Sequence, residues 1–161
     1  MVYLIVFLPM LGSIIAGFWG RRLGDKISLY LTSSLLLISM TLSWITFWQL
    51  SSNHIDKVYP LMEWMNIGDF NVVWSLRHDM LSAVMMIVIT TVSAMVHIYS
   101  IGYMSHDNSK PRFMSYLSLF TFAMLMLVTS DNLIQLFFGW EGVGLALSLI
   151  HISEPTRPVT I

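Results

Sequence analysis

The chain has 161 residues, of which 56% are hydrophobic and 11% are charged, and its formal net charge is −1. Soluble domains carry about 25% charged residues, so this composition argues against a soluble globular domain. The charge balance provides no basic surface for nucleic acid, and the absence of cysteine excludes disulfides, thiolate zinc sites and cysteine-ligated iron–sulfur clusters within this chain.

Five long apolar stretches follow one another along the chain. They cover residues 2–20, 27–50, 80–104, 113–130 and 132–152. Each is close to the length of about 20 residues that a helix needs to cross a bilayer, and backbone in hydrocarbon must satisfy its own hydrogen bonds. The sequence therefore predicts an all-α integral membrane protein with about five transmembrane helices. The first stretch has no basic residues before it, so we interpret it as a retained span rather than a signal peptide.

The first span also carries a small-residue pattern. Gly12, Ala16 and Gly20 lie four residues apart on one helix face, which is typical of close helix packing.

The lysines and arginines between the spans predict the orientation. One side of the membrane receives five of them in short loops, whereas residues 51–79 on the other side contain only Lys57 and Arg77. By the positive-inside rule, the basic loops lie in the cytoplasm or the mitochondrial matrix. The N-terminus and the loop 51–79 are then expected outside.

The external loop 51–79 contains a pattern typical of strands. Apolar residues alternate with polar ones from Phe70 to Arg77, and residues 61–67 precede a Gly68-Asp69 turn. We predict a short external β-hairpin between helices 2 and 3, with Trp64 and Trp74 at the membrane interface. A helix over residues 61–65 is the alternative. Asp79 and Asp131 are expected to cap the helices that follow them.

Glu141 is the candidate functional residue, because it lies near the middle of the last apolar stretch. A charged carboxylate at that depth costs several kcal/mol unless it is paired or protonated, and intramembrane acids usually serve a function. We predict a proton relay through Glu141. The alternative is a protonated side chain that bonds a neighbouring helix. Gly139, Gly142 and Gly144 are expected to let another helix or water approach the carboxylate.

His97, inside the third apolar stretch, is a second candidate for proton transfer. Its position favours the alternative, a neutral side chain hydrogen-bonded to a neighbouring helix. The loop histidines His54, His78 and His106 show no spacing typical of metal ligands, so no metal site is predicted.

Three segments then carry a family resemblance: residues 97–104 (HIYSIGYM), 110–127 (KPRFMSYLSLFTFAMLML) and 132–145 (NLIQLFFGWEGVGL). They resemble the antiporter-like subunit L (chain 5) family of proton-translocating NADH:quinone oxidoreductase, respiratory complex I. The resemblance extends from the first span through Ala146. It implies a subunit that moves protons, with Glu141 in the place of a glutamate that pairs with a lysine on a later helix.

The resemblance also implies where the rest of the chemistry lies. No cofactor is expected in this chain, whereas NADH, FMN, iron–sulfur clusters and quinone belong to partner subunits of the complex. The partners are other membrane subunits and the lipid bilayer. The location is a bacterial inner membrane or, as the alternative, the mitochondrial inner membrane. A subunit of a multisubunit sodium/proton antiporter is the competing function, because those proteins share the intramembrane acid.

The resemblance ends after Ala146. Residues 147–157 (LSLIHISEPTR) are similar to the translation of a DNA adapter used in preparing sequencing libraries. We therefore expect residues 1–146 to be the N-terminal part of the subunit and residues 147–161 to be a non-native tail. A fragment of this kind lacks the later helices and is expected to be inactive alone.

Overall fold

The structure is a computed structural model that describes residues 1–53, 56–68, 70–104 and 110–153. His54, Asp69, His106 and most of the expected non-native tail lie outside the described residues. Within them, five helical segments are long and apolar enough to cross a membrane. A two-stranded sheet lies between the second and third of these segments. The fold class expected from the sequence is confirmed.

The first span begins with helix α1 (Val2–Ile14) and continues through a π-helical turn (Ile15–Trp19) into the short helix α2 (Gly20–Leu23). Pro9 lies inside α1 without ending it. Gly24, with φ of +88°, then reverses the chain, a backbone conformation that glycine adopts without steric cost. The second span is helix α3 (Asp25–Asn53), longer at both ends than residues 27–50.

The small residues of the first span pack as expected. A Cβ atom on Gly12 would meet Leu35 of α3 at 3.4 Å. A Cβ atom on Gly20 would lie 2.6 Å from the Cβ of Pro111. The backbone of this span therefore approaches two other helices closely.

Residues 57–78 form the predicted hairpin. Strand β1 (Lys57–Ile67) pairs with strand β2 (Phe70–His78) in antiparallel register, from Lys57 opposite His78 to Ile67 opposite Phe70. The first strand begins four residues earlier than the alternation suggested, and the alternative helix over residues 61–65 is wrong.

Three further helices complete the chain: α4 (Met80–Tyr103), α5 (Lys110–Val128) and α6 (Leu133–Ser153). Helices α1, α3, α4 and α5 pack against one another as a bundle, whereas α6 packs mainly against α5. Helix α5 begins three residues before the expected span and ends two residues earlier, at Val128.

The interior of the bundle differs between its two ends. At the hairpin end it is apolar and is built from the starts of α1 and α4, the ends of α3 and α5, and strand β2; its buried members include Ile5, Leu50, Leu76, Met86 and Leu125. Away from the hairpin, buried hydroxyl groups become frequent on α1, α3, α4 and α5, among them those of Ser13, Ser28, Thr32, Ser93, Ser115 and Ser118.

Candidate functional site

Glu141 lies on α6, eight residues after the helix begins at Leu133. At 1.5 Å per residue, this places it about 12 Å from the start of a span that needs about 30 Å to cross the hydrocarbon. The depth predicted from the sequence, near the middle of the span, therefore agrees with the helix as observed.

The side chain of Glu141 faces away from the bundle. It is exposed, and it lies in an open groove of about 670 Å³ whose other lining residues, including Phe137, Leu145 and Ser148, all belong to α6. The neighbouring residues Phe137 and Trp140 are 62% and 67% exposed. Glu141 is thus a carboxylate in the centre of a broad apolar helix face.

No described residue forms a hydrogen bond or ion pair with the Glu141 carboxylate; the one salt bridge within the described residues joins Arg77 and Asp79. An unpaired carboxylate in hydrocarbon is favoured only in its neutral form, or with a cation brought to it. Glu141 therefore has no partner among the described residues that would offset the cost of its charge in hydrocarbon.

The three glycines near Glu141 have different surroundings. A Cβ atom on Gly139 would lie 2.8 Å from the Cα of Leu127, and one on Gly142 would lie 3.3 Å from the Cβ of Ala123. Both glycines thus permit α5 to approach α6 closely. A Cβ atom on Gly144 would meet no atom within 4 Å among the described residues, so only that glycine leaves open space beside α6.

His97 lies in a very different environment, fully buried between α4 and α5. Its Nδ1 is 2.8 Å from the carbonyl oxygen of Ser93, and its Nε2 is 3.0 Å from Oγ of Ser118. A carbonyl oxygen only accepts, so Nδ1 carries the proton and donates it. In the neutral ring, Nε2 then accepts from the Ser118 hydroxyl. No described hydrogen bond connects His97 with Glu141.

A seam of hydroxyl groups accompanies His97, and the sequence reasoning missed it. Oγ of Ser93 and Oγ1 of Thr121 are in hydrogen-bond contact between α4 and α5. Oγ of Ser115 donates to the carbonyl oxygen of Ser13 at 2.7 Å, which joins α5 to α1. The signal was present: Ser115, Ser118 and Thr121 recur every three residues on one face of α5.

The hairpin holds the start of α6 in place. The backbone N–H of Ser75 donates to Oε1 of the buried Gln135 at 3.2 Å, and Nδ2 of Asn132 donates to the carbonyl oxygen of Val73 at 2.9 Å. The ring of Trp74 contacts Phe138 edge-on, with centroids 5.3 Å apart. These contacts fix the helix that carries Glu141 at a point about two turns before it.

The capping predictions have two outcomes. Asp79 caps α4 as expected, because its Oδ1 accepts from the backbone N–H of Ser82 at 2.8 Å. The prediction for Asp131 is wrong by one residue. Oδ1 of Asn132 accepts from the N–H of Gln135, while Oδ2 of Asp131 accepts from Oγ of Ser75. The helix begins one residue later than expected, which leaves Asp131 to bind the hairpin.

Comparison with known proteins places these features in a family. Residues 64–114 match the profile described as "NADH-Ubiquinone oxidoreductase (complex I), chain 5 N-terminus". The chain is 49% identical over 159 residues to a Rhodobacter capsulatus protein named NADH-quinone oxidoreductase subunit L, a match that covers 93% of this chain and 22% of the relative.

Two further relatives have the same coverage of both chains. The NADH-ubiquinone oxidoreductase chain 5 of Arabidopsis thaliana is 49% identical over 150 residues, and that of Chondrus crispus is 48% identical over 150 residues. The chain therefore spans about a fifth of the length of these relatives, and a short part of it lies outside the matches.

Proposed function

Because this chain belongs to the family of NADH-ubiquinone oxidoreductase chain 5 and NADH-quinone oxidoreductase subunit L, we propose that it is the N-terminal part of a proton-translocating membrane subunit. In this proposal, protons cross the membrane while partner subunits oxidise NADH and reduce quinone. The observation that carries the proposal is Glu141, an unpaired carboxylate on an uncovered apolar face of a membrane-spanning helix.

Glu141 acts in this proposal as a proton acceptor and donor. Hydrocarbon solvates a charged carboxylate poorly, so the charge of such a group needs a cation close to it. A lysine from a later helix, as in the family, stabilises the charged form when it comes close and releases the proton. The groove beside Glu141 and the open side of Gly144 leave space for such a helix.

The chain by itself is then an incomplete path. It supplies the acid, whereas the lysine and the later helices belong to the part of the relatives that this chain does not span. We propose that the fragment alone translocates no protons. The redox groups, NADH, FMN, iron–sulfur clusters and quinone, are assigned to partner subunits of the complex.

The competing function, a subunit of a multisubunit sodium/proton antiporter, shares the intramembrane acid. The matched profile and the relatives described above carry the oxidoreductase name, which favours the first function. We propose a bacterial inner membrane as the location, or the mitochondrial inner membrane as the alternative, with the hairpin on the outer side.

The test of Glu141 uses the complete subunit in its complex. We expect Glu141→Gln, which keeps the size of the side chain and removes its titration, to lower the number of protons pumped per NADH oxidised. Proton release and NADH oxidation are measured together in sealed vesicles. Glu63→Gln is the matched control, because Glu63 is an exposed carboxylate on the hairpin outside the spans. An unchanged proton-to-electron ratio in Glu141→Gln would rule out this role.

We also propose that residues 147–161 do not belong to the natural protein. Residues 147–153 continue α6 without a break, so helical structure does not distinguish them from the preceding residues. The resemblance of residues 147–157 to adapter sequence supports the proposal. Amplifying the source DNA across these codons without transposase tagging tests it: a frame that continues from Ala146 into further apolar helices supports the proposal, and one that encodes the same tail contradicts it.

A further inference from the structure

A cavity of about 230 Å³ lies at the hairpin end of the bundle, away from α6. It is open on one side and is lined by the start of α1, the last turns of α3, the beginning of β1 and the end of β2. Its polar lining residues are Thr46, Gln49, Lys57, Tyr59 and His78. A water molecule takes up about 30 Å³ in the liquid, so the cavity has room for a larger polar group.

His78 is the unusual member of this lining. Only 6% of its surface is exposed, and its Nδ1 has no hydrogen-bond partner within the described residues. Burial lowers the pKa of His78 below its ordinary value. A buried ring nitrogen without a partner costs free energy, so a bound group that hydrogen-bonds to it would be stabilising.

The charges around the cavity favour an anion. Among the described residues, Lys57 is the one formally charged side chain in the lining, and no carboxylate lines the cavity. Of the two nearby acids, Asp79 is occupied by its cap to Ser82 and its ion pair with Arg77, at 3.1 Å. Asp56 is exposed and does not line the cavity.

The start of α1 adds further positive charge beside the cavity. Helix α1 has 13 residues and no side-chain cap at its N-terminus, and both Met1 and Val2 line the cavity. The first amides of a helix have no intrahelical acceptor, and the helix dipole places partial positive charge there. Phosphate groups bind at such helix starts.

We propose that this cavity binds a phosphate group, through Lys57, His78 and the first amides of α1. The cavity lies where the spans meet the external hairpin, which is the level of lipid head groups. The phosphodiester of an anionic phospholipid and free inorganic phosphate share the chemistry that these groups recognise. The site involves α1, α3 and the hairpin, so it is independent of the role of Glu141.

The experiment uses the complete subunit in its complex, in nanodiscs of phosphatidylcholine that contain phosphatidylglycerol with a photoreactive head group. After illumination, the labelled peptides are mapped by mass spectrometry. We expect labelling of the peptides that contain Thr46, Lys57 and His78. In Lys57→Gln and His78→Phe the labelling should fall about tenfold, the effect of losing one charge-assisted hydrogen bond.

The controls separate binding from misfolding and identify the source of the phosphate. Lys110→Gln, at the opposite end of the bundle, should label like the wild type, and recovery of the assembled complex is checked for each variant. His78→Gln, which keeps a hydrogen-bonding side chain, replaces His78→Phe if the latter does not assemble. Competition by inorganic phosphate assigns the site to free phosphate, and its failure to compete assigns it to the lipid. Absence of labelling at these peptides, or labelling that Lys57→Gln leaves unchanged, would overturn the proposal.

Discussion

Asp79 shows how a single side chain begins a membrane-spanning helix at the water boundary. Its Oδ1 accepts from the N–H of Ser82, and the Ser82 hydroxyl accepts in return from the N–H of Asp79. The hydrogen bond from the Ser82 backbone lowers the pKa of Asp79 below its ordinary value, with a smaller contribution in the same direction from Arg77. The carboxylate is therefore bound in its charged form.

We expect Asp79→Ala to lower the free energy of unfolding by about 0.5–2 kcal/mol, the usual cost of losing an N-cap. Asp79→Asn keeps an acceptor and should cost less. Since the folded pKa lies below the unfolded one, the contribution of the charge is present at neutral pH and is lost as pH falls through the folded pKa. Tm measured in detergent at neutral and acidic pH tests this: the wild type and Asp79→Ala should converge in acid. A Tm difference between the two proteins that does not change with pH would contradict the proposed contribution of the Asp79 charge.

His97 leads to a different prediction, because both of its ring nitrogens already have neutral partners. We expect His97→Leu to lower the free energy of unfolding by about 1 kcal/mol, because it removes the hydrogen bond with Ser118 that joins α4 to α5. The proton-to-electron ratio of the assembled complex should stay unchanged, and His97→Gln should recover part of the stability. A normal Tm together with a lowered ratio would instead make His97 a member of the proton path.

At the scale of the elements, the crossing of α5 and α6 depends on Gly139. A Cβ atom there would lie within 2.9 Å of three atoms of Leu127, two of them backbone atoms that cannot rotate away. Gly144, about one and a half turns further along, meets nothing within 4 Å among the described residues. The two glycines form a matched pair on one helix.

We expect Gly139→Ala to force the two helices apart, at a cost of about 1–3 kcal/mol for an overpacked contact. Gly144→Ala should cost less, because no described residue lies within 4 Å of the added Cβ and alanine favours helix more than glycine does. Tm of the complete subunit is the measurement. An unchanged Tm in both variants would contradict the close approach of α5 to α6 at Gly139. Equal losses would show that a further helix covers Gly144 in the longer protein.

The sequence predicted the elements well and their contacts poorly, for physical reasons. Hydropathy locates spans because the bilayer penalises every buried charge, and alternation locates β2 because one strand face is buried. Contacts such as those of Gln135 with Ser75, or of Ser118 with His97, depend on which helix faces meet. Serines and threonines in helices also bond their own backbone, as Thr90 does to Met86, so their presence alone does not indicate an interhelical seam.

For the candidate site, too, the sequence predicted the key residue but not its surroundings. Glu141 was evident from the sequence because a lone acid in an apolar stretch is costly wherever the helix faces. Its exposure on the outer face of α6 was not evident, since apolar residues surround this helix on every side and give no direction. The structure was also needed to separate the surroundings of Gly139 from those of Gly144.

For the whole molecule, the arrangement of charges predicts the direction of insertion. Lys26 lies in the first turn of α3, at the end of the bundle opposite the hairpin, and Asn66 lies on β1 near the tip of the hairpin. Both side chains are exposed, and these 161 residues contain no cysteine, so any cysteine to be replaced before labelling lies in the rest of the subunit.

We expect Asn66→Cys in the complete subunit to react with a membrane-impermeant maleimide added to intact cells. Lys26→Cys should react only after the membrane is permeabilised, because the positive-inside rule places it in the cytoplasm. Labelling of denatured protein provides the control for each variant. The reversed pattern would contradict the proposed orientation.

The hairpin and the start of α6 also constrain the order in which the protein is assembled during translation. Ser75 bonds Asp131 and Gln135, and Val73 bonds Asn132, over separations of 56 to 60 residues. The ribosome must therefore complete α4 and α5 before the hairpin finds these partners. Until then the edge of β2 that faces away from β1 has no partner, and an unpaired strand edge is open to incorrect pairing. The hairpin therefore docks only after the start of the fifth span has been synthesised, and a nascent chain that ends after α5 lacks these contacts.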